Sequence, residues 1–169
     1  ITIGTMLKTL QSIPSIHDPE PSWQLDTLAM EDWVERCSLF ADIHVLHPRK
    51  LPGVNFLRDF VADDIAGTRM MTGCELLSHT KRHAENTGGA ILVHRIHAGF
   101  LAKKFSDAAY VHRTGFISIT DELSEYRGSY HRMVSESVWV PRERLGLSDL
   151  YPIDPILLDS DSPRGRLIA

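Results

Sequence analysis

Cysteine is almost missing from this chain. Cys37 and Cys74 are the only two, and neither belongs to a CxxC pair, so a disulfide framework is excluded. A reducing, cytoplasmic compartment is the simpler reading of so few thiols. No apolar run is long enough to cross a bilayer, and the N-terminus carries no signal-peptide pattern, so no membrane partner is expected. Nor is there an excess of positive charge. Lys and Arg number 18 against 22 Asp and Glu, a formal charge of −4, with no basic stripe, and nucleic acid is not the expected partner. Internal repeats, a GxSxG elbow and a Gly-rich phosphate loop are all absent, and Gly88-Gly89 reads as a turn. The chain begins at Ile1, which reads as a trimmed product or a piece of something longer.

What is present is an ordinary globular composition: 169 residues, 43% apolar and 24% charged, enough for one compact domain with a real core. Periodicity divides it. Residues 1–74 read as a helical N-terminal region, with apolar positions at helical spacing over Ile3–Leu10, a helix from a Ser22 cap to Cys37, and another from an Asn55 cap to Gly67. A further helix is predicted over Arg69–Glu85, ending at Asn86-Thr87-Gly88-Gly89. Residues 75–169 read mainly as sheet, with strands over Ala90–Leu101, Ala108–Thr120 and Tyr130–Val140. The expected class is α+β: an antiparallel sheet with helices packed on one face and a helical N-terminal arm.

Strand alternation then singles out charges. Read as one strand, Ala109 to Ile119 has an apolar face of Ala109, Val111, Gly115, Ile117 and Ile119, interrupted by Arg113. Glu136 interrupts a face of Val134, Val138 and Val140, and Arg95 shares one with Ile91 and Val93. A charge on a core face is costly unless paired, so an inward Arg113 calls for a carboxylate from the protein or from a ligand. The planar guanidinium suits a small carboxylate ligand. Two plainer readings stand beside this one: an Arg113–Glu136 ion pair between strands, or a bulge that turns Arg113 to solvent. His79 and His83 sit four apart on the predicted helix, but no third ligand stands at a recognised spacing and a solvated helix face is the simpler reading, so no metal site is assigned.

Several segments, taken in order, resemble the chorismate pyruvate-lyase family, whose fold is shared with the effector-binding domain of GntR-type regulators. They are Ser78-His79-Thr80-Lys81-Arg82, Ile96-His97-Ala98-Gly99-Phe100-Leu101, His112-Arg113, Glu136-Ser137-Val138-Trp139-Val140-Pro141, and Ser162-Pro163-Arg164-Gly165. The resemblance implies that His79 borders the substrate, that Arg113 binds a substrate carboxylate, and that backbone amides at Arg164 and Gly165 hold another. It implies elimination of pyruvate from chorismate to give a hydroxybenzoate, without metal or organic cofactor. The family's late strand Glu has no counterpart here, so Glu136 or His79 would have to supply the acid. Arg113, Glu136 and His79 are thus the candidate catalytic residues, and Arg113, Arg95, Arg164 and Gly165 the candidate substrate-binding ones. The alternatives are a non-catalytic module that binds a small acid, and an interaction fragment of a larger protein. The oligomeric state is left open.

Overall fold

The computed structural model describes residues 34–35, 37–45, 56–147 and 151–168. The elements are β1 (Asp42–Val45), β2 (Phe56–Ala62), β3 (Ile65–Met71), β4 (Cys74–His79), α1 (Lys81–Thr87), β5 (Ile91–Lys104), β6 (Ala109–Arg113), β7 (Phe116–Asp121), β8 (Tyr126–Val140), a 3-10 turn (Arg142–Leu145), β9 (Ile156–Asp159) and α2 (Pro163–Ile168). The described residues therefore form a mainly β protein, which corrects the expected α+β class and its helical arm.

The errors have identifiable causes. Over Asn55–Gly67 the apolar spacing fits a helix, yet the chain makes the β2–β3 hairpin, with Ala62 opposite Ile65. Asp63-Asp64 turns it, with Asp63 at φ 56, a left-handed conformation that Asp tolerates. Over Arg69–Glu85 only Lys81 onward is helical. That helix starts at a capping box, where the Thr80 N–H donates to His83 Nδ1 at 2.9 Å, and stops at Gly88, φ 65. The segment expected as helix over 3–10 lies outside the described residues. The helix expected over 22–37 is described only at its end, where the Ser38 N–H bonds the Val34 carbonyl.

All nine strands among the described residues join one antiparallel network. Two long strands, β5 and β8, pair along their whole length and form its spine. At one end β4 and β6 flank them, with β1 beyond β4. At the other end β3 and β7 flank them, with β2 and β9 beyond. The two halves fold face to face, because one core cluster draws Leu77, Leu101, Tyr126 and Tyr130 from the first half and Met70 and Ile96 from the second.

The fold-over occurs at a bulge. The β5–β8 register shifts between Ile96 and Phe100, with Gly99 at φ 73 and, opposite, Arg132 at φ 46. A Cβ at Gly99 would collide with the His131 and Arg132 carbonyls. The bulge also changes which residues face inward. On β5, beyond the buried Ile91 at its start, the inward residues are Leu92, His94 and Ile96 before the bulge, and Leu101 and Lys103 after it. His94 and Lys103 are an odd number of residues apart, which in an uninterrupted strand puts them on opposite faces. On β8 the same change separates Tyr126 and Tyr130 from Met133, Ser135, Ser137 and Trp139.

A buried ion pair closes the second half. Asp121 Oδ2 accepts from Arg142 Nη1 at 2.6 Å and from the Ile153 N–H at 2.8 Å, while Oδ1 accepts from the Leu123 N–H at 3.0 Å. Arg142 Nη2 donates to the Tyr151 carbonyl at 2.9 Å, so one pair ties the chain after β8 to the end of β7.

Candidate functional site

The interior surface between the two halves is unusually polar. Cross-strand register places Thr68, Ser137, His94 and Ser118 in one row across β3, β8, β5 and β7. All four are buried. The neighbouring rows carry Trp139 with Thr120 and, on the other side, Ser135. Polar side chains at inward strand positions need partners, and several here have none within the protein. Both ring nitrogens of His94, the Ser135 hydroxyl and the Trp139 indole N–H are buried without a hydrogen bond.

His112 sits beside His94, their ring centroids 5.0 Å apart and edge to face. His112 Nε2 meets the Phe116 carbonyl at 2.9 Å, which fixes that nitrogen as the donor, so Nδ1 accepts from the Ser118 hydroxyl at 3.1 Å. Burial drives the His112 pKa down to about 4, the Phe116 bond opposing and the Lys103 charge assisting. Burial also holds His94 well below the ordinary range, with the His112 and Lys103 charges adding to it. His94 is therefore neutral, and it offers one donor and one acceptor, both unused.

Lys103 projects into the same interior and is only 3% exposed. Its Nζ lies 3.5 Å from the Thr120 hydroxyl and 4.1 Å from the centre of the Tyr126 ring. Tyr110 donates to or accepts from that same Thr120 hydroxyl at 3.1 Å. No carboxylate among the described residues lies within ion-pairing distance of the ammonium. Asp121 holds Arg142. Glu122 takes the Tyr126 hydroxyl at 3.3 Å and lies 3.5 Å from His79. Burial lifts Glu75 to about 7, the Gly73 N–H bond at 2.9 Å partly offsetting it. A buried cation whose neighbours are a hydroxyl and a ring face is an electrostatic opening for an anion.

The residues singled out from sequence lie apart. Arg113 is exposed, which corrects its expected place on a core face. Residues 109–119 are not one strand: the chain turns at Thr114-Gly115, Gly115 at φ 89, and passes from the β5–β6 pair to the β5–β7 pair. The apparent apolar face joined the outer face of β6 to a different strand, and the inward residue of β6 is His112. Nor does Arg113 meet Glu136. Glu136 lies on the outer face, where Arg69 Nε at 2.5 Å and His97 Nε2 at 3.1 Å hold it. Burial works to raise Glu136, but the His97 hydrogen bond and the Arg69 charge outweigh it and leave it below the usual range. Arg95 is paired across from Glu136 on that face.

His79 is buried at the end of β4 and not on a helix; Nδ1 is 2.6 Å from the Phe40 carbonyl and Nε2 2.9 Å from the Glu122 carbonyl. Both ring nitrogens thus lie against backbone carbonyls, which anchors the ring on both sides. His83 is buried as well, so the pair is no solvated face; burial lowers its pKa, against the Asp42 charge. The described residues hold no cluster of three or more metal-ligand side chains. Arg164 is exposed, and the Gly165 N–H is taken by the Ser162 hydroxyl at 3.0 Å at the start of α2, so that amide is already engaged within the turn. No helix among the described residues is long and apolar enough to cross a membrane.

No family model and no curated protein matches this chain. Among solved structures, it is similar to the AraC-like transcriptional activator CuxR, with a TM-score of 0.59 and 14% identity, over 67% of this chain and 43% of that one. The chain thus spans less than half of that activator's length, and the likeness is one of fold. A putative mannose-6-phosphate isomerase from Ralstonia eutropha JMP134 superposes with a TM-score of 0.43 and 13% identity, over 61% of this chain and 94% of that one.

Proposed function

We propose that the chain is a non-catalytic binding module for a small carboxylate, working in the cytoplasm. The observation that carries this reading is Lys103, a buried ammonium without a carboxylate partner, facing an interior where His94, Ser135 and Trp139 leave hydrogen-bonding groups unused. A carboxylate would supply the missing charge at Lys103. Neutral His94 would read either a donor or an acceptor on the rest of the molecule, and Leu92, Ile96 and Met133 would take an apolar body. A binding role is favoured over turnover because Arg113, Glu136 and His79 are held in three separate places. The fold likeness to an AraC-like activator supports reading the chain as the sensing part of a longer regulatory protein.

The test is a thermal-shift and calorimetric titration with benzoate, hydroxybenzoates and aliphatic dicarboxylates. A ligand at about a hundred times its Kd adds about 2.7 kcal/mol of stability, which is roughly 5–10 °C for a domain of this size. Lys103→Met should abolish that shift while itself stabilising the free protein by about 1–4 kcal/mol, since it removes a buried, unpaired charge. Arg113→Ala should leave the shift intact. A shift that survives Lys103→Met refutes the assignment, and release of aromatic product from chorismate would replace binding by turnover.

A further inference from the structure

The outer face of the first half carries a second constellation, distinct from the interior. Register aligns Leu76, Ser129, Ala102 and Val111 in a stripe across β4, β8, β5 and β6. This stripe floors a groove of about 530 Å³. Its large side chains are open, Leu76 being 43% and Val111 54% exposed. On one side runs a row with Arg127 opposite Lys104, and on the other a row that places Phe100 opposite Arg113. Among the described residues neither Arg127 nor Lys104 has a carboxylate within ion-pairing distance, and Arg113 rests 5.9 Å from the Phe116 ring. Asp42, which β1 adds to this sheet beside Ser78, is taken by Arg82 at 2.6 Å. The result is an apolar stripe with cations on both flanks, in a chain whose formal charge is −4.

We infer that this stripe is a docking surface for an acidic amphipathic helix of a partner protein. Four strands about 4.8 Å apart make a stripe of about 15 Å, and a helix rises that far in about ten residues. A helix presents apolar side chains at three- and four-residue intervals, spaced about as the strands are, with both flanks free to carry acids. Glu and Asp on those flanks would meet Arg127 and Lys104 on one side and Arg113 on the other, which a basic or neutral helix cannot do.

The probe is a fluorescein-labelled synthetic helix of about fourteen residues with a Leu ridge and Glu flanks, titrated into the full chain by anisotropy. A matched peptide with Lys flanks is the control. The Glu peptide should bind, weaken as salt rises, and lose about tenfold or more on Lys104→Glu with Arg127→Glu. Val111→Asp should act likewise. Both variants change exposed positions, and unchanged thermal unfolding verifies the fold. The inference is overturned if neither peptide binds below about 1 mM, if the Lys peptide binds equally, or if charge reversal leaves binding unchanged. It is also overturned if sedimentation shows the chain dimerising through this face until Val111→Asp dissolves the dimer, or if octanoate occupies the groove as tightly as the peptide.

Discussion

Glu75 gives the sharpest quantitative prediction. Its carboxyl is 1% exposed on β4, one oxygen accepts the Gly73 N–H, and the other has no partner. Burial raises its pKa from 4.5 to about 7. The folded state therefore binds this proton more tightly than the unfolded chain does. The stabilisation is complete below the unfolded value and is lost as pH rises through the folded one. At about 1.36 kcal/mol per pH unit, the loss amounts to about 3 kcal/mol. Glu75→Gln keeps an oxygen for the Gly73 N–H but cannot ionise. Urea denaturation of both proteins across a pH series isolates the effect, because the buried histidines change both curves equally. The stability of Glu75→Gln relative to the parent should climb by about 3 kcal/mol between about pH 4.5 and pH 7 and level off beyond. A difference that stays flat over that interval would show that Glu75 is solvated or paired, and the account of the first half's core would be wrong.

Three further outcomes follow from the geometry. His112, depressed to about 4, should act with the opposite sign: its contribution is full above pH 6.5 and is lost as pH falls toward 4, a change of about 3 kcal/mol that His112→Gln removes from the acid limb of the unfolding curve. Asp121→Asn removes the carboxylate charge that faces buried Arg142 and should cost about 3–5 kcal/mol in denaturant midpoint measurements, with protease sensitivity increasing first around Tyr151 and Ile153. Gly99→Ala forces a Cβ against two carbonyls at positive φ and should cost more than about 2 kcal/mol in the same assay, whereas Gly115→Ala, with open space around it, should cost about 1 kcal/mol.

The later strands were legible in the sequence because β5 and β8 are rich in β-branched and aromatic residues, and their extents were read to within a few positions. The earlier ones were not. β2 and β3 carry apolar residues at spacings that satisfy both periods, and only the Asp63-Asp64 turn distinguishes them. The site escaped for a different reason. Alternation assigns the apolar face inward, but in β8 the inward face is Met133, Ser135, Ser137 and Trp139, while Val134, Val138 and Val140 face outward. Where a protein lines its interior with hydroxyls and imidazoles, the polar pattern points the wrong way, and local rules are expected to fail at functional surfaces. Arg113 was the cation expected on an inward strand face, and it is exposed. Lys103 is the buried one, hidden because the Gly99 bulge changes the inward parity of β5 at a point that composition does not mark. A serine-rich strand face opposite a histidine, as in Ser135, Ser137 and His94, is the signal that would have found the interior.

Because β5 and β8 belong to both halves, neither half owns a complete sheet. Detaching either one strips the other's central strands of their partners on one face and uncovers the shared cluster around Met70, Leu101 and Met133. The amides of the spine should therefore share one opening free energy from Ile91 to Lys104, which native-state hydrogen exchange measures. A molecule bound against one half would then slow exchange in the other as well.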